Sequence, residues 1–413
     1  MSRADYRPYI PKPEESWIAG RTPKEHMTAR MKSERAQNLF ATWAALYAKP
    51  FTGITTDGHV IPDLFTVAPE GAPTAKIVEA AGNLLALLSP EKQKSMRFPV
   101  DSKQWRNWQN TELHVEDYGL RMDAEPQAIK DAAMNVVRAS LSAQGYEKAR
   151  NVMKLNAFLG DLVGGPEVLS EWAYTFCLFG EPSTEEPWGW HLFGHHLTLN
   201  CFLIGTQMVL TPWFFGAEPK YCDQGRFNGI SLFEDEERLG LALMHSFTSG
   251  QQAQAIVAHD MMDGDLPEGR WHFADHLHLG GAYQDNRIVP YEGLTGPQMT
   301  AEQTRRLLDL VRAYIAPLPM GPVDAKMAEI ERHLADTHFC WIGSTTEEDA
   351  FYYRIQSPVV MIEFDHHTGV FLTNDVPRNF HVHTIVRTPN GNDYGIDLLR
   401  QHYKNSPHHK PHS

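Results

Sequence analysis

The sequence predicts an α+β fold, in which an antiparallel or mixed sheet has helices packed around it. Helical periodicity and capping signals dominate the first 165 residues, whereas strand-forming residues come in adjacent runs from about residue 170. Adjacent runs favour antiparallel pairing, because a doubly wound sheet would alternate strands with helices. No Gly-x-Gly-x-x-Gly run follows a predicted strand, which also argues against a dinucleotide-binding fold.

Residues 1–165 are predicted to form a mainly helical N-terminal region. The run Thr22-Pro23-Lys24-Glu25 combines a capping box with a proline suited to the first turn, so we expect one helix from there to about Ala48. The glycines and proline of Val163-Gly164-Gly165-Pro166 end the helical run. Further helices are expected between these points, near 76–88, 90–97, 126–143 and 146–158.

Residues 166–403 are predicted to form the α+β core. We expect strands within 171–179, 195–215 and 351–388, with a hairpin turn at Ile204-Gly205-Thr206-Gln207. Helical patterns separate these strands, within 234–260, 300–316 and 323–335. Residues 404–413 are polar, and we expect them to form a disordered tail.

Composition excludes several classes of protein. The formal charge is −14, and an acidic surface repels phosphate backbones, so nucleic acid is not an expected partner. No apolar stretch approaches the roughly 20 residues of a membrane span, and the N-terminus has no apolar signal region. The 4 cysteines include no Cys-x-x-Cys pair, which fits a reducing compartment. We therefore expect a cytoplasmic protein without a membrane partner, and a homodimer on general frequency alone.

The chain contains 21 histidines but no Gly-x-Ser-x-Gly elbow, Walker loop, His-Glu-x-x-His or kinase signature. One concentration of histidines lies in the strand-like run from Trp188 to Asn200. Neighbouring residues of a strand point to opposite faces, so we expect at most one of His195 and His196 to bind a given metal ion. The alternative is that one histidine stacks on Trp190 and the other is hydrogen-bonded in the core.

The second concentration is Phe380-His381-Val382-His383-Thr384. His-x-His on a strand puts both imidazoles on one face, about 6.6 Å apart along the backbone. That spacing lets both side chains reach one ion, as in many metal sites built on sheets. The alternative is a pair of polar residues on a half-exposed strand.

Two acidic residues lie in an apolar strand, at Glu363 and Asp365, and alternation places them on one face with His367. Buried carboxylates need a cation, a metal or a histidine as partner, so they could orient His381 or His383, or one could act as a general base. Arg354 could neutralise them in a plain ion pair, or bind a substrate carboxylate in bidentate fashion.

A fourth histidine segment runs from Trp271 to Arg287. His272 and His276 have the spacing of one helical turn and could bind a metal, but Gly280-Gly281 makes a loop the better interpretation.

At these segments the sequence resembles the family catalogued as domain of unknown function 3500. The resemblance rests on Trp-Gly-Trp-x-x-x-Gly-His-His-Leu-x-x-Asn at 188–200 and on motifs at 211–219, 353–366 and 381–395, and it is densest from about 170 to 403. It implies a single integrated fold, because its motifs lie at both ends of that region, and it implies no particular activity. Histidine at position 191 is not typical of the pattern, which leaves His195, His196, His381 and His383 as the metal-ligand candidates.

The leading functional hypothesis is a metal-dependent hydrolase or lyase that acts on a small organic, possibly aromatic or carbonyl-containing, substrate. His381, His383 and one of His195 or His196 would hold one divalent ion, with zinc favoured and iron or copper possible. Glu363 or Asp365 would move the proton, and Arg354 would anchor the substrate. Further substrate contacts are expected from the aromatic residues and an arginine of the family motifs, namely Trp188, Trp190, Tyr353 and Arg387.

Two alternatives stay open. One is a mononuclear iron or copper oxygenase at the same histidines, because imidazole suits these metals as well as zinc. The other is a non-catalytic binding protein whose four histidines are separate core residues and do not converge in space.

Overall fold

A computed structural model describes residues 5–262, 264 and 266–405. In this part of the chain 13 strands form one mixed sheet and 11 α-helices surround it, which confirms the α+β prediction. The strands are β1 (Arg97–Phe98), β2 (Leu120–Arg121), β3 (Tyr174–Phe179), β4 (Trp188–Gly194), β5 (Leu197–Ile204), β6 (Gln207–Val209), β7 (Trp213–Ala217), β8 (Ile256–Ala258), β9 (Leu294–Thr295), β10 (His338–Gly343), β11 (Phe351–Gln356), β12 (Met361–His367) and β13 (Arg378–Arg387). The helices are α1 (Pro23–Arg30), α2 (Glu34–Ala48), α3 (Thr74–Leu87), α4 (Pro90–Met96), α5 (Gln127–Ser140), α6 (Ala143–Val163), α7 (Glu234–Ser246), α8 (Ser249–Ala255), α9 (Ala301–Ile315), α10 (Met320–Arg332) and α11 (Ile396–Asn405).

The main path of the sheet runs β1-β3-β4-β5-β7-β13-β12-β11-β10-β8, and β2, β6 and β9 pair at its sides. The eight strands β3, β4, β5, β7, β13, β12, β11 and β10 pair antiparallel with one another along this path. On the same path, only the edge strands β1 and β8 pair with their neighbours in parallel. β1 and β2 come from the mainly helical N-terminal region, and both pair with β3. The helical region and the core therefore share one sheet.

The predicted helix from Thr22 to Ala48 is two helices, α1 and α2. The capping box at Thr22 and Glu25 forms as predicted. Ser33 then accepts a hydrogen bond from the backbone N–H of Ala36 and begins a second helix. A serine that can cap its own helix competes with helix continuation, and periodicity does not detect that competition.

One face of the sheet, which we call the helix-covered face, is apolar and carries the helices. The indole N–H of Trp190 donates to Ser140 Oγ on α5 at 2.9 Å. Tyr353 reaches α7 through a 2.9 Å hydrogen bond to the Glu236 carbonyl, and its hydroxyl lies 2.6 Å from that of Tyr314 on α9. Burial of this face against the helices is the main source of hydrophobic stabilisation.

The opposite face, which we call the polar face, carries buried polar side chains in the same alternating register. Asp365 on β12 lies opposite His383 on β13, so Glu363, Asp365 and His383 share this face. The register shifts between His366 and His367, but the ring contacts of His367 with His381 and His383 place His367 and His381 on the same face. Residues 270–287, which we call the covering segment, lie over this face. Backbone N–H groups of the covering segment donate hydrogen bonds to the carboxylates of β12. Buried carboxylates require such partners, so the cover and the face form one polar core.

Buried ion pairs hold the cover on the polar face. Arg387 of β13, which is fully buried, donates to Asp285 at 2.6 Å and to Asp393 at 2.7 Å. Arg106 reaches the other oxygen of Asp285 at 2.8 Å. Removing one member of such a buried network leaves an uncompensated charge, which costs about 3–5 kcal/mol.

No helix in the described part of the chain is long and apolar enough to cross a membrane. The 4 cysteines are all buried and unpaired.

Candidate metal centre

Three histidine nitrogens converge at the middle of the polar face. Nε2 of His381 lies 3.1 Å from Nε2 of His383 and 3.4 Å from Nε2 of His196. One ligand atom from each of the three side chains lies within 4.8 Å of the other two, and all three residues are buried. The predicted His-x-His pair therefore meets a third imidazole, from a different part of the sheet.

The third imidazole is placed by a tight turn. β4 ends at Gly194 and β5 begins at Leu197, so His195-His196 forms a two-residue hairpin turn within the run predicted as one strand. His196 has a φ of +63°, in the left-handed region that non-glycine residues rarely occupy. The amide of Gly216 on β7 donates to the His196 carbonyl at 2.7 Å and fixes the turn against the sheet. A strained residue at such a position commonly marks a functional site.

Gly216 leaves the room in which these rings meet. It pairs with His383 across β7 and β13. A Cβ at this position would lie 3.0 Å from Cδ2 of His196, 3.0 Å from Cδ2 of His383 and 3.0 Å from the Val382 carbonyl oxygen. Only a residue without a side chain lets both rings approach as closely as they do.

The three imidazoles are prepared as ligands. Nδ1–H of His381 donates a hydrogen bond to the Thr368 carbonyl at 2.7 Å, which leaves Nε2 with its lone pair. Burial and the neighbouring imidazoles hold the pKa of His196, His381 and His383 well below the usual value, so all three are neutral. A tetrahedral zinc ion with Zn–N distances of 2.0–2.1 Å needs nitrogens about 3.3 Å apart. The observed 3.1 and 3.4 Å separations match that spacing.

Glu218 supports the centre from behind and is absent from the sequence-based predictions. Its carboxylate lies 3.8 Å from Nδ1 of His381 and accepts hydrogen bonds from the consecutive amides of Val370, Phe371 and Leu372. Burial raises its pKa to about 7 against these hydrogen bonds. The carboxylate thereby holds the loop whose Thr368 carbonyl orients His381. A glutamate directly after an apolar strand, in a motif already noted, was the available signal.

His195 lies beside the three nitrogens without joining them. Its Nδ1 is 2.7 Å from Asn156 Oδ1 on α6, and its ring stacks on His196 with centroids 3.8 Å apart. Of the two histidines of the turn, His196 therefore converges with His381 and His383, and His195 supports it.

The two acidic residues of β12 have different environments. Glu363 accepts from the amides of Leu279 and Gly280 at 2.8 and 2.7 Å and from the Tyr352 hydroxyl at 2.7 Å. Burial works to raise its pKa, but nearby His278 and Arg354, with these hydrogen bonds, hold the pKa below the usual value. Glu363 is thus an ionised anchor for the covering segment.

Asp365 is satisfied only in part. Oδ2 accepts from the Leu277 amide at 3.2 Å, and Oδ1 is buried without a hydrogen-bond partner. Burial raises the pKa of Asp365 well above its usual value, which favours the neutral acid. Of the two predicted proton-transfer groups, Asp365 is the one with a free oxygen near the converging histidines.

The predicted arginines lie on the polar face but are occupied by partners. Arg354 donates to Glu292 at 2.8 Å and to the Pro290 carbonyl at 3.0 Å. Arg387 is held by the buried pairs described above. Neither guanidinium is brought to the three nitrogens.

The predicted aromatic substrate contacts are placed elsewhere. Trp188, Trp190 and Tyr353 share the register of the helix-covered face, on the side of the sheet away from the histidines. The rings near the centre are others. Phe214 lies 5.1 Å from His383 between ring centroids, and Trp271 stacks on His276 at 5.6 Å. Strand runs reveal which residues alternate, but they do not reveal which face the helices cover.

A second cluster adjoins the first. His276, Asp365 and His367 place one ligand atom each within 4.8 Å of the others, and all three are buried. The His367 ring lies 4.2 Å from that of His383 and 4.9 Å from that of His381. His276 lies in a loop, as the glycines predicted, and Trp271 and the residues after it bring it over β12.

The fold and the converging nitrogens define a class of protein: an α+β protein with a buried three-histidine centre on the polar face of its sheet. The chain belongs to the family described as protein of unknown function (DUF3500), whose family model matches residues 70–396. Comparison with curated proteins and with solved structures found no significant match.

Proposed function

We propose that this protein is a metal-dependent enzyme whose centre is a divalent ion, zinc in the favoured case, held by His196, His381 and His383. The observation that carries the proposal is the convergence of three buried imidazoles, in which Nε2 of His381 lies 3.4 and 3.1 Å from the other two Nε2 atoms, close to the separation that one tetrahedral ion requires. The two strand histidines come from β13 and the third comes from the β4–β5 turn, so the arrangement needs long-range pairing and a strained residue. Residues held in strained backbone conformations cluster at functional sites.

Three protein ligands leave a coordination position open for water or substrate, as in catalytic zinc sites. An ion held there would supply Lewis-acid chemistry, either to activate water for hydrolysis or to polarise a carbonyl for a lyase step. The chain's own groups would do the rest. The Thr368 carbonyl and Glu218 keep the His381 lone pair directed at the centre. Asp365, with its free Oδ1, would transfer the proton.

The substrate we propose is a small organic molecule with a carbonyl group, because a polarised carbonyl oxygen suits the open position. The centre is almost closed, since His383 is the most exposed of the three ligands at 5%. Trp271 lies at the edge of the covering segment with a buried indole N–H that has no partner, and we assign it a substrate contact. We no longer expect Trp188, Trp190 and Tyr353 to contact the substrate.

The sequence-based alternative is an iron or copper oxygenase at the same histidines as the zinc centre, and it stays a prediction. The second candidate that a specific observation favours is an iron oxygenase at a neighbouring set of side chains. His276, His367 and Asp365 form a set of two histidines and one carboxylate, which is the donor set of many non-haem iron oxygenases. The identity of the metal separates the two candidates, because zinc has no redox chemistry. The non-catalytic alternative required histidines that stay apart, and their convergence disfavours it.

The test is metal analysis of protein purified without a histidine tag. We expect at least one equivalent of zinc in the wild type. His383→Ala should contain one equivalent less than the wild type. A matched control is His191→Phe, which replaces a buried histidine remote from the three nitrogens and should leave the metal content unchanged. Wild-type protein that contains no metal, and takes up none on dialysis against zinc, iron or copper, would refute the proposal.

A further inference from the structure

The second cluster on the polar face, formed by His276, Asp365 and His367, supplies none of the three ligands of the first centre, although Asp365 is the proposed proton-transfer group there. The three side chains offer one nitrogen each from two imidazoles and one carboxylate oxygen, all within 4.8 Å of one another. They come from the covering segment and from β12. The cluster therefore bridges two parts of the chain that are about 90 residues apart in the sequence.

Each member of the cluster has a buried polar atom without a hydrogen-bond partner. These atoms are His276 Nδ1, Asp365 Oδ1 and His367 Nε2. Buried polar groups in folded proteins are almost always paired, and each exception needs an explanation such as an ion or a water molecule. Three unpaired atoms on three clustered side chains, each able to ligate a metal, point to a ligand that joins these side chains.

The other polar atom of two of these side chains is tied to the protein. Nε2 of His276 lies 3.2 Å from the Thr368 hydroxyl, and Asp365 Oδ2 accepts from the Leu277 amide at 3.2 Å. His276 also has a φ of +47°, in the left-handed region. An orienting partner on the second atom of a ligand is the usual arrangement around bound metals.

We propose that His276, Asp365 and His367 hold a second divalent transition-metal ion beside the three-histidine centre, so that the loaded protein is dinuclear. The inference rests on the proposed function, because it takes the first ion as given. The His367 ring lies between the two groups, 4.2 Å from the His383 ring and 4.9 Å from the His381 ring. Two adjoining ions can stabilise the attacking and the leaving oxygen of one substrate.

Charge supports the second position. The first set of ligands is neutral, so it leaves the whole charge of its ion uncompensated. The second set contains a carboxyl group, which gives up its proton when it ligates a metal ion, and the Glu363 side chain lies two residues from Asp365 on the same face of β12. A mixed set of imidazole and carboxylate ligands suits zinc, iron and manganese.

The geometry predicts the order in which the two positions fill. The nitrogens of the first set already have the spacing of a tetrahedral ion. The rings of His276 and His367 lie parallel, 5° apart in plane, with centroids at 3.4 Å. An ion binds near the plane of an imidazole, so these two rings must tilt apart to share one. The second ion should therefore bind more weakly than the first.

The experiment is a zinc titration of metal-free protein that is monitored by calorimetry. Metal analysis after gel filtration counts the bound ions, and the absorption of Co²⁺-loaded protein is an independent readout. We expect two equivalents in the wild type, the second at least tenfold weaker. Asp365→Asn and His276→Gln should each bind one equivalent with the affinity of the first, and His383→Ala should lose the tight one. Circular dichroism and thermal unfolding check that each variant is folded, and two different variants keep the test independent of either one.

The outcomes separate the two proposals. One equivalent in the wild type, unchanged in Asp365→Asn and His276→Gln, overturns the second ion and leaves the three-histidine centre intact. Two equivalents that neither variant alters also overturn it, because the second ion then lies elsewhere. No equivalent in the wild type overturns the proposed function itself.

Discussion

Replacing Gly216 with alanine tests whether zinc binding depends on the close approach of the His196 and His383 rings at this glycine. The new Cβ would lie 3.0 Å from Cδ2 of both His196 and His383, whereas ordinary carbon contacts are about 3.5–4.0 Å. Both rings must therefore move by a few tenths of an ångström, and the Val382 carbonyl at 3.0 Å prevents the methyl group from moving away from them. Overpacking of this kind costs about 1–3 kcal/mol of stability.

The effect on zinc should exceed the effect on folding. Displaced ligands no longer match the ion, and mutations that disturb the support of a metal site weaken binding roughly 10- to 100-fold. The assay is competition for zinc with a chromophoric chelator at neutral pH. Gly82→Ala is the matched control, because Gly82 lies within α3 with no atom near its missing Cβ, and that change should stabilise the helix by about 0.5–1 kcal/mol. Wild-type zinc affinity in folded Gly216→Ala would refute the argument from ring spacing.

Three further predictions follow from buried groups. Glu218→Ala removes the hydrogen-bond acceptor of three loop amides, so its zinc affinity should fall roughly 10- to 100-fold. Glu218→Gln keeps an acceptor oxygen, so its zinc affinity should fall less. Equal zinc affinity in both variants and the wild type would contradict this prediction. Burial lowers the pKa of His191 to about 3, against about 6.5 when unfolded, so the unfolded chain binds the proton first and stability is lost as the pH falls below 6.5. At pH 5 this amounts to about 2 kcal/mol, and His191→Phe should remove it, as urea unfolding at pH 7 and pH 5 would measure; an identical pH dependence in both proteins would count against it. Arg387→Met leaves Asp393 without its buried cation and leaves Asp285 with Arg106 alone, so it should destabilise the fold by about 3–5 kcal/mol, measured by denaturant unfolding; a change under about 1 kcal/mol would show that the network is not needed.

The features that the sequence predicted correctly are those with a local period. Two-residue alternation predicted that His381 and His383 share a face and that Glu363, Asp365 and His367 share one, and both predictions are confirmed. Adjacent strand runs predicted an antiparallel or mixed sheet, and the sheet is mixed, with parallel pairs only at the edge strands β1 and β8 of its main path. These patterns depend on neighbours in the chain, so one sequence suffices to find them.

The features that were missed depend on pairing between distant parts of the chain. The turn at His195-His196 replaces the strand expected there, and it brings His196 to β13 because β5, β7 and β13 are neighbours in the sheet. Trp188 and Trp190 were given a role at the site, but the helices cover their face. His276 reaches β12 only because a loop folds over the sheet. No local period encodes which strands are adjacent or which face is covered.

The measurement that tests the central claim most directly is a crystal structure of the zinc-loaded protein, with anomalous data collected on both sides of the zinc absorption edge. We predict an anomalous peak about 2.0–2.1 Å from Nε2 of His196, His381 and His383 together. An anomalous peak that lies away from these three nitrogens would contradict the account. Crystals of the full chain that show no anomalous peak after soaking in zinc would contradict it as well.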